Sequence, residues 1–397
     1  MKKRRVAITS NAYITALGNN FTEFSENIEK NDYQFKTFKD TPILPIENFN
    51  LKDYVKRCKD ARYLNRGAKL GFAAAAECIK KSGFTELPDN CAVFIGAGPN
   101  LDITESFPEI NNAVFGTDGL QALWILKFLP NTLGACIAKQ FDLHGENRTV
   151  TSACAASLHA VASAYREIKN NGADIILTGG GDSRLNLGGI TAYNKASALF
   201  KGENPDKNYA SFSNQRFGFI PGEGGGFLLL EELESAKKRN AKILAEIVGC
   251  GFTADGYSMT DPRPDGKFAA EAVKNALMEA DLKPEEIDLI HAHGTGTLKN
   301  DETEAKVIKQ IFGKSSPPVT ALKSWTGHLS AACGAMETAV MIDFMNNCKI
   351  PAVRNLVHSL DEEIDFAKKS RKAALNRILL ENFGFGGQNC ALIIKKY

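Results

Sequence analysis

The stretch TVTSACAASLHAVASAYREI, residues 149–168, predicts a strand that runs into a helix. A β-branched run ends in small residues, and an alanine-rich amphipathic pattern follows directly after Cys154. A thiol at such a junction lies near a helix N-terminus, where unpaired N–H groups and the helix dipole favour a thiolate. The alternative is that Cys154 packs as a small buried side chain, like Ala153 and Ala155. The stretch alone favours this alternative.

The same alternation of strand and helix continues along the chain. Apolar strand-like runs occur at RRVAITSNA (4–12), CAVFIGAG (91–98) and ADIILTGGG (173–181), and a helical pattern covers residues 65–83. This alternation predicts an α/β protein with largely buried sheets.

The second half of the chain repeats this organisation. IDLIHAHGTGT (287–297) predicts a strand that ends in glycine, residues 319–345 predict a strand followed by a helix rich in small residues, and residues 377–396 predict closing strands around glycines. We therefore expect two similar halves related by a pseudo-twofold axis, divided as residues 1–240 and 241–397.

Composition limits the classes of function. The 397 residues carry 48 basic and 46 acidic side chains, a net charge of +2, so no overall field favours nucleic acid or an anionic membrane as partner. The N-terminal residues are not typical of a signal peptide, and no run of roughly 20 apolar residues occurs, so we expect neither a signal peptide nor a membrane helix. Nine cysteines without a C-x-x-C pair favour neither disulfides nor zinc, and indicate a reducing, cytoplasmic location.

Polar candidates follow the predicted strand at 287–297. His293 comes at the end of this strand, where catalytic and ligand-binding side chains of open α/β sheets occur. A hydrogen-bonded core histidine is an equal alternative, and His291 on the same strand is a competing candidate. Asp301 is predicted to start the next helix, with Glu304 at capping-box spacing.

Lys323 and His328 flank the turn of TALKSWTGHLSAACGAMETAV, residues 320–340. Glu337 follows on the predicted helix and could reach back to pair with Lys323. A solvated lysine and a helix-capping histidine are the alternative interpretation.

Phe385 lies among three glycines in ENFGFGGQNCALII, residues 381–394. Glycines let a backbone N–H approach a ligand closely, as in an oxyanion hole, although turn formation would also explain them. GEGGGFLLLEE (222–232) lacks both the G-x-G-x-x-G order and a phosphate-loop lysine, so no nucleotide site is expected.

Taken together, Cys154, HGTGT at 293, KSWTGH at 323 and FGFGG at 383 resemble the elongating β-ketoacyl-acyl-carrier-protein synthases. These are condensing enzymes of the Cys-His-His kind with the thiolase fold, and the resemblance covers nearly the whole chain. It implies two pseudo-symmetric βαβαβαββ halves in a five-layered αβαβα arrangement. It also implies an acyltransferase that performs decarboxylative Claisen condensation of malonyl-carrier protein with an enzyme-bound acyl thioester, in fatty acid or polyketide and polyene elongation.

The resemblance assigns roles to the matching residues. Cys154 would carry the acyl group, and its backbone N–H and that of Phe385 would form the oxyanion hole. His293 and His328 would stabilise the enolate. The other implied positions are Lys323 with Glu337 as site organisers, Asp301 and Glu304 as structural support, Thr295 and Thr297 as contacts of the pantetheine arm, and Phe385 as an aromatic gate.

The implied partner is an acidic acyl carrier protein, with no cofactor or metal beyond the carrier's phosphopantetheine. The resemblance also implies a dimer, either a homodimer or a heterodimer with a ketosynthase-like subunit, with residues 98–110 near the acyl-pocket wall. The basic segment KRCKDARYLNR (56–66) is expected to dock the carrier protein through Lys56, Arg57, Lys59, Arg62 and Arg66. A solvated helix face is the alternative interpretation of this segment.

Some positions depart from the family pattern. SFSNQRFG puts Ser211, Asn214 and Phe217 where an arginine and two aspartates usually stand. TSNA (9–12) replaces a glycine-containing turn after the first strand, and Gln388 replaces a small residue. These departures spare the catalytic positions, and they favour a specialised member, in polyketide or polyene biosynthesis, over housekeeping fatty-acid elongation.

Two rival functions are open to test. A non-catalytic partner subunit of the chain-length-factor type typically lacks the nucleophilic cysteine, which Cys154 supplies here. A coenzyme-A thiolase typically uses a second cysteine in a C-x-G context, which Cys390 in QNCAL does not match.

Overall fold

A ten-stranded sheet forms the centre of the fold. The computed structural model describes residues 4–102, 110–111, 114–115, 120, 122–313 and 316–397. The strands of this sheet are β1 (Val6–Ile14), β2 (Ala92–Gly96), β3 (Asn147–Val150), β4 (Ile175–Ser183), β5 (Glu223–Glu232), β6 (Ala245–Ala254), β7 (Leu289–His291), β8 (Val319–Thr320), β9 (Arg377–Gly384) and β10 (Gln388–Lys395).

The strand order shows the expected pseudo-symmetry. Across the sheet the strands run β8-β7-β9-β10-β6-β1-β5-β4-β2-β3. Counted from its own first strand, each half therefore has the same order, 3-2-4-5-1, and the halves join where β1 and β6 pair antiparallel, with Val6 opposite Ile247. The predicted repeat is confirmed by this topology. The division at residue 240, which falls between β5 and β6, stays a prediction.

The fold has five layers: the strands of the two halves form two of them, and helices form the other three. The described residues contain eleven α-helices. α2 and α3 cover the outer face of the first half, α8 and α9 cover the outer face of the second, and α4 and α11 lie between the halves. The predicted αβαβα arrangement is confirmed. The helices are α1 (Phe21–Lys30), α2 (Arg66–Lys81), α3 (Thr132–Phe141), α4 (Ala156–Lys169), α5 (Leu187–Lys195), α6 (Pro205–Asn208), α7 (Leu233–Lys238), α8 (Lys267–Ala280), α9 (Leu298–Phe312), α10 (Lys323–Thr326) and α11 (Cys333–Asn346).

The central helix pair brings the two candidate stretches together. α4 follows the loop that carries Cys154, and α11 follows the loop that carries His328. Small side chains let the two helices approach closely, because a Cβ atom at Gly334 would lie 2.4 Å from the Cβ of Leu158. The alanine-rich and glycine-containing sequences after Cys154 and His328 are thus required by the packing of the middle layer.

Residues 9–12, TSNA, form no turn after the first strand, whereas the strand predicted at residues 4–12 is confirmed. Residues 9–12 lie inside β1, where a register shift between Ile8 and Ser10 marks a bulge in the pairing with β5. Asn11 donates to the carboxylate of Asp343 on α11 at 3.0 Å. A polar residue that fixes the strand to the middle layer therefore occupies this position.

Shorter elements and loops surround the sheet. No helix in the described part of the chain is both long and apolar enough to span a bilayer. Two-stranded ribbons pair Lys36–Phe38 with Thr41–Ile43, Ile110–Asn111 with Val114–Phe115, and Lys349–Ile350 with Arg371–Lys372. The 3-10 turns are Leu51–Asp53, Lys59–Tyr63, Trp124–Lys127, Ala153–Ala155, Pro284–Glu286 and Ser330–Ala332.

Candidate active site

A cavity of about 510 Å³ opens where the two halves meet, and all of the predicted catalytic and substrate-binding residues except Lys323 line it. Its polar lining includes Cys154, His293 and His328, and its apolar lining is largely aromatic. A pocket with a few convergent polar groups in an apolar wall is the usual form of a small-molecule site. The remaining lining residues used below are Tyr193, Thr295, Thr297, Phe217, Phe219, Phe383 and Phe385.

Cys154 lies in the 3-10 turn between β3 and α4. Its side chain lines the cavity while the residue is 8% exposed. Burial raises the pKa of the Cys154 thiol to about 11, and the nearby ammonium of Lys323 opposes this rise. Desolvation therefore outweighs the favourable nearby charges, and the expected contribution of the helix N-terminus to a thiolate stays a prediction.

His328 contacts the thiol directly. Its Nε2 lies 3.2 Å from the Sγ of Cys154, and its Nδ1 lies 3.2 Å from the backbone N–H of Ser330. Because a backbone N–H can only donate, Nδ1 is the acceptor and the ring proton is on Nε2. Burial, and next the charge of Lys323, lower the pKa of His328 well below 6.5. The ring is thus a neutral donor directed into the cavity.

His293 follows β7 and lines the same part of the cavity as Cys154 and His328. We call this part of the cavity, with the Lys323–Glu337 ion pair behind it, the reactive corner. The two imidazole rings have centroids 5.7 Å apart and are nearly perpendicular, at 87°. Burial lowers the pKa of His293 well below 6.5, and the charge of Lys323 adds to this effect. The competitor His291 is fully buried outside the cavity lining, where its Nε2 accepts the N–H of Leu322 at 3.3 Å.

Lys323 and Glu337 form a buried ion pair behind the cavity. The Nζ of Lys323 lies 2.6 Å from Oε1 of Glu337, and neither side chain is more than 1% exposed. The other oxygen of Glu337 accepts the amide of Asn382 at 2.9 Å. The ammonium of this pair lies near both histidines, and it adds to the effect of burial in lowering their pKa values.

Two acidic residues hold the loop after β7 in place. The carboxylate of Glu304 accepts the backbone N–H groups of His293 and Gly294 at 2.5 and 2.8 Å. The carboxylate of Asp301 accepts those of Thr295 and Gly296 at 3.1 Å. The predicted capping box is wrong, because the helix begins at Leu298 and both carboxylates reach across to the preceding loop instead.

The expected arm contacts and gate line one cavity. Thr295 and Thr297 have hydroxyl oxygens 2.9 Å apart, and Phe385 is 37% exposed at the mouth. A Cβ atom at Gly384 would lie 3.2 Å from the backbone nitrogen of Cys154. Only a glycine lets the chain before Phe385 come this close to the nucleophile loop.

The three family departures occupy different environments. The hydroxyl of Ser211 donates to the carbonyl of Gly294 at 2.6 Å, so it supports the loop after β7. The N–H of Asn214 donates to the carbonyl of His358 at 3.0 Å. Phe217 is 41% exposed and lines the cavity. An aromatic surface therefore replaces a charge at the entrance.

The basic segment 56–66 is not one continuous helix. Its middle is the 3-10 turn Lys59–Tyr63, and Arg66 starts α2. Arg66 pairs with the buried Glu223 at 2.6 Å, so it also holds the fold together. The five expected docking residues are all exposed, and four of them have no ion pair within the described residues: Lys56, Arg57, Lys59 and Arg62.

Two other expectations concern the acyl-pocket wall and metal binding. Most of the segment 98–110, predicted to border the acyl pocket, lies outside the described residues. In the part of the chain that is described, no cluster of three or more His, Cys, Asp or Glu side chains could hold a metal ion.

The sequence interpretation missed a layer of residues behind His328. Cys333 lies 3.1 Å from Nδ1 of His328, and the hydroxyl of Ser330 lies 2.7 Å from that of Tyr193 in the cavity wall. Phe219 packs edge-on against the His328 ring, with centroids 4.8 Å apart. Only the spacing of Cys333, five residues after the histidine, could have indicated its place.

Comparison with known proteins agrees with this geometry. The family described as "Beta-ketoacyl synthase, N-terminal domain" matches residues 3–236, and "Beta-ketoacyl synthase, C-terminal domain" matches residues 244–357. A "3-oxoacyl-[acyl-carrier-protein] synthase 2" from Synechocystis sp. is 32% identical over 100% of this chain and 99% of the relative. A protein of the same description from Coxiella burnetii is 30% identical with the same coverage.

Solved structures show the same fold over the full length. A β-ketoacyl synthase from Burkholderia phymatum superposes with a TM-score of 0.91 at 27% identity, covering 99% of this chain and 100% of that one. A structure described as the ishigamide ketosynthase/chain length factor superposes with a TM-score of 0.90 at 27% identity, with complete coverage of both chains.

Proposed function

Because the chain belongs to the β-ketoacyl synthase family, we propose that it catalyses decarboxylative condensation of malonyl-carrier protein with an acyl group held on Cys154. The observation that carries the proposal is the contact of 3.2 Å between the Cys154 thiol and Nε2 of His328, in a cavity that His293 also lines. The product would be a β-ketoacyl-carrier protein in fatty acid, polyketide or polyene elongation.

Acyl transfer to Cys154 is the first step. The sulfur attacks the thioester carbonyl of the acyl-carrier protein, a new S–C bond forms, and the carrier thiol leaves with the proton that the Cys154 thiol gives up. The Nε2–H of His328 donates to the sulfur, and the Lys323 charge further favours the anion. These groups lower the cost of forming a thiolate in a buried site.

Decarboxylation of the malonyl group is the second step. The bond between the α-carbon and the carboxylate breaks, carbon dioxide leaves, and the electron pair forms an enolate on the thioester. Neutral His293 and His328 would donate hydrogen bonds to the enolate oxygen as charge develops there. Because both rings are held neutral by burial and by Lys323, they act as donors that do not protonate the carbanion.

Carbon–carbon bond formation completes the cycle. The enolate carbon attacks the carbonyl of the acyl-Cys154 thioester, and the backbone N–H groups of Cys154 and Phe385 would hold the resulting oxyanion. The close approach of Gly384 to the nucleophile loop supports this arrangement. Collapse of the intermediate breaks the S–C bond, releases the β-ketoacyl product and leaves Cys154 as a thiolate, which takes a proton from solvent to restore the thiol.

The exposed cations of segment 56–66 are the proposed docking surface for an acidic carrier protein. They lie beside a second hollow, of about 600 Å³, whose lining also includes Lys52 and Lys69 and which shares no lining residue with the reactive cavity. Complementary charge of this kind accelerates association and fixes orientation. The proposed assembly is a dimer, either a homodimer or a heterodimer with a ketosynthase-like subunit.

Intact-protein mass spectrometry with a panel of acyl-carrier proteins tests the function. We expect an acyl adduct on Cys154 and release of carbon dioxide from malonyl-carrier protein. Cys154→Ala should lose the adduct and at least about a thousandfold of condensing rate, with nearly unchanged thermal stability because a small residue replaces a small one. A wild-type chain with neither adduct nor decarboxylation would instead support the non-catalytic partner subunit.

A further inference from the structure

The Nδ1 face of His328 has an unusual set of contacts. This nitrogen lies 3.2 Å from the backbone N–H of Ser330 and 3.1 Å from the thiol sulfur of Cys333. The corresponding nitrogen of His293 is buried without a hydrogen-bond partner in the described part of the chain. The two enolate-facing histidines are therefore held in different ways.

The direction of the thiol contact follows from its neighbour. Because the Ser330 N–H can only donate, Nδ1 has no hydrogen and must accept from both sides. A thiol can donate as well as accept, so the S–H of Cys333 is the donor. Cys333 is 0% exposed, and burial raises the pKa of its thiol well above the usual 9, so the proton stays on the sulfur.

We propose that Cys333 is a positioning residue for the reaction, whose S–H donates to Nδ1 of His328 and so keeps the ring proton on Nε2, which faces Cys154. The inference rests on the proposed function. It adds to that function a thiol that touches neither substrate nor nucleophile and acts only through the histidine.

The surroundings make this contact rigid. Cys333 is the first residue of α11, and the next residue, Gly334, packs closely against Leu158 of α4. Ser330 has a left-handed φ of 50°, and its hydroxyl is 2.7 Å from that of Tyr193. A ring nitrogen has one lone pair, so the two donors share it, and together they fix both the tautomer and the rotation of the ring.

Few other charged or titratable groups face this ring. Lys323 is paired with Glu337, His293 packs nearly perpendicular to the His328 ring, and Cys154 lies on its Nε2 side. None of them offers a hydrogen to Nδ1. Loss of the Cys333 donor would therefore leave only the single Ser330 N–H on that side of the ring.

The test compares Cys333→Ala, which removes the donor, with Cys333→Ser, which keeps one. Cys91→Ala is the matched control, because Cys91 is an equally buried thiol in a different core cluster. Nitrogen-15 NMR of the full-length, histidine-labelled protein reports the state of each ring nitrogen. In the Ala variant we expect the His328 Nδ1 signal to move toward that of an unbonded nitrogen, with the His293 signals unchanged.

Kinetics provides the second readout. Cys333→Ala should lower kcat for malonyl decarboxylation about three- to tenfold without changing KM, as expected for the loss of one modest hydrogen bond. Cys333→Ser should recover most of this loss, and Cys91→Ala should behave as wild type. If Cys333 had only a structural role, Cys333→Ala would lower stability but would not move the His328 signals. Cys333→Ser would then not restore kcat.

The proposal is overturned if Cys333→Ala leaves the His328 nitrogen signals where they are in the wild type, or if Ser fails to restore them. Failure of the proposed function would look different. The NMR signals require no reaction. If the wild type condenses no malonyl thioester but Cys333→Ala gives the expected shift, the proposed activity is wrong and the proposed hydrogen bond is supported.

Discussion

The reactive corner and the basic segment 56–66 both depend on charged side chains, but these lie in opposite environments. In the corner, Lys323 and Glu337 are almost fully buried and form a direct ion pair. In the segment, Lys59 and Arg62 are exposed and have no ion pair within the described residues. Because desolvation makes every buried charge dependent on its partner, the corner tolerates little change, whereas the segment is free to change with its partner protein.

Removal of the buried lysine should produce the largest effect. Lys323→Met leaves the carboxylate of Glu337 buried without its counter-ion, and we expect unfolding free energy to fall by about 3–5 kcal/mol. Chemical denaturation at fixed protein concentration measures this loss. Lys323→Met with Glu337→Gln removes both charges, keeps the acceptor for Asn382, and should recover much of the stability without activity.

An exposed ion pair is the matched control for that experiment. Lys309 contacts Asp361 and Glu363 at 2.9 and 2.6 Å on the surface. Lys309→Met should leave the denaturation midpoint nearly unchanged, since water and salt screen such pairs. Equal losses for Lys323→Met and Lys309→Met would remove the contrast between the two regions.

Charge reversal in the basic segment should act on partner binding instead of folding. Lys59→Glu with Arg62→Glu should raise KM for the carrier-protein substrate about tenfold at low salt, and leave kcat and the kinetics of a small thioester mimic unchanged. The difference from wild type should shrink at high salt. Lys237→Glu with Lys238→Glu changes the net charge equally on the exposed end of α7 and serves as the control.

If the small mimic loses as much kcat/KM as the carrier-protein substrate, segment 56–66 is not a docking surface. The same conclusion follows if the α7 control raises KM equally. Arg66 is unsuitable for this test, because its pair with Glu223 supports the fold and its loss would change stability as well as docking.

The two regions also differ in how far the sequence predicted them. The two similar halves and the five layers followed from a repeated pattern and a specific resemblance, because a repeat of strands and helices has few ways to bury its apolar faces. Cys154, His293, His328 and Lys323 lie close together because the symmetric halves bring matching loops to one edge. Family motifs carried this information, whereas each stretch alone was ambiguous.

The errors share a physical cause. The capping box at Asp301 and Glu304 was inferred from local spacing and the turn at residues 9–12 from the family pattern. Backbone N–H groups of the preceding loop and a middle-layer helix bind these side chains instead. Cys333 was missed because its spacing from His328 was the only signal, and spacing alone does not show that the start of α11 faces back toward the histidine.

The pH dependence of decarboxylation is the smallest effect and separates the two regions most directly. Since burial and Lys323 lower the pKa of His293 and His328 well below 6.5, both rings stay neutral as the pH falls from 8 through 6.5, and kcat for a small malonyl thioester should stay nearly constant over this range. The rate should fall only at lower pH, where the rings become protonated. A midpoint of the acidic limb at or above 6.5 would show that the histidines are as solvated as free imidazole, and the distinction between a dry corner and a wet docking segment would not hold.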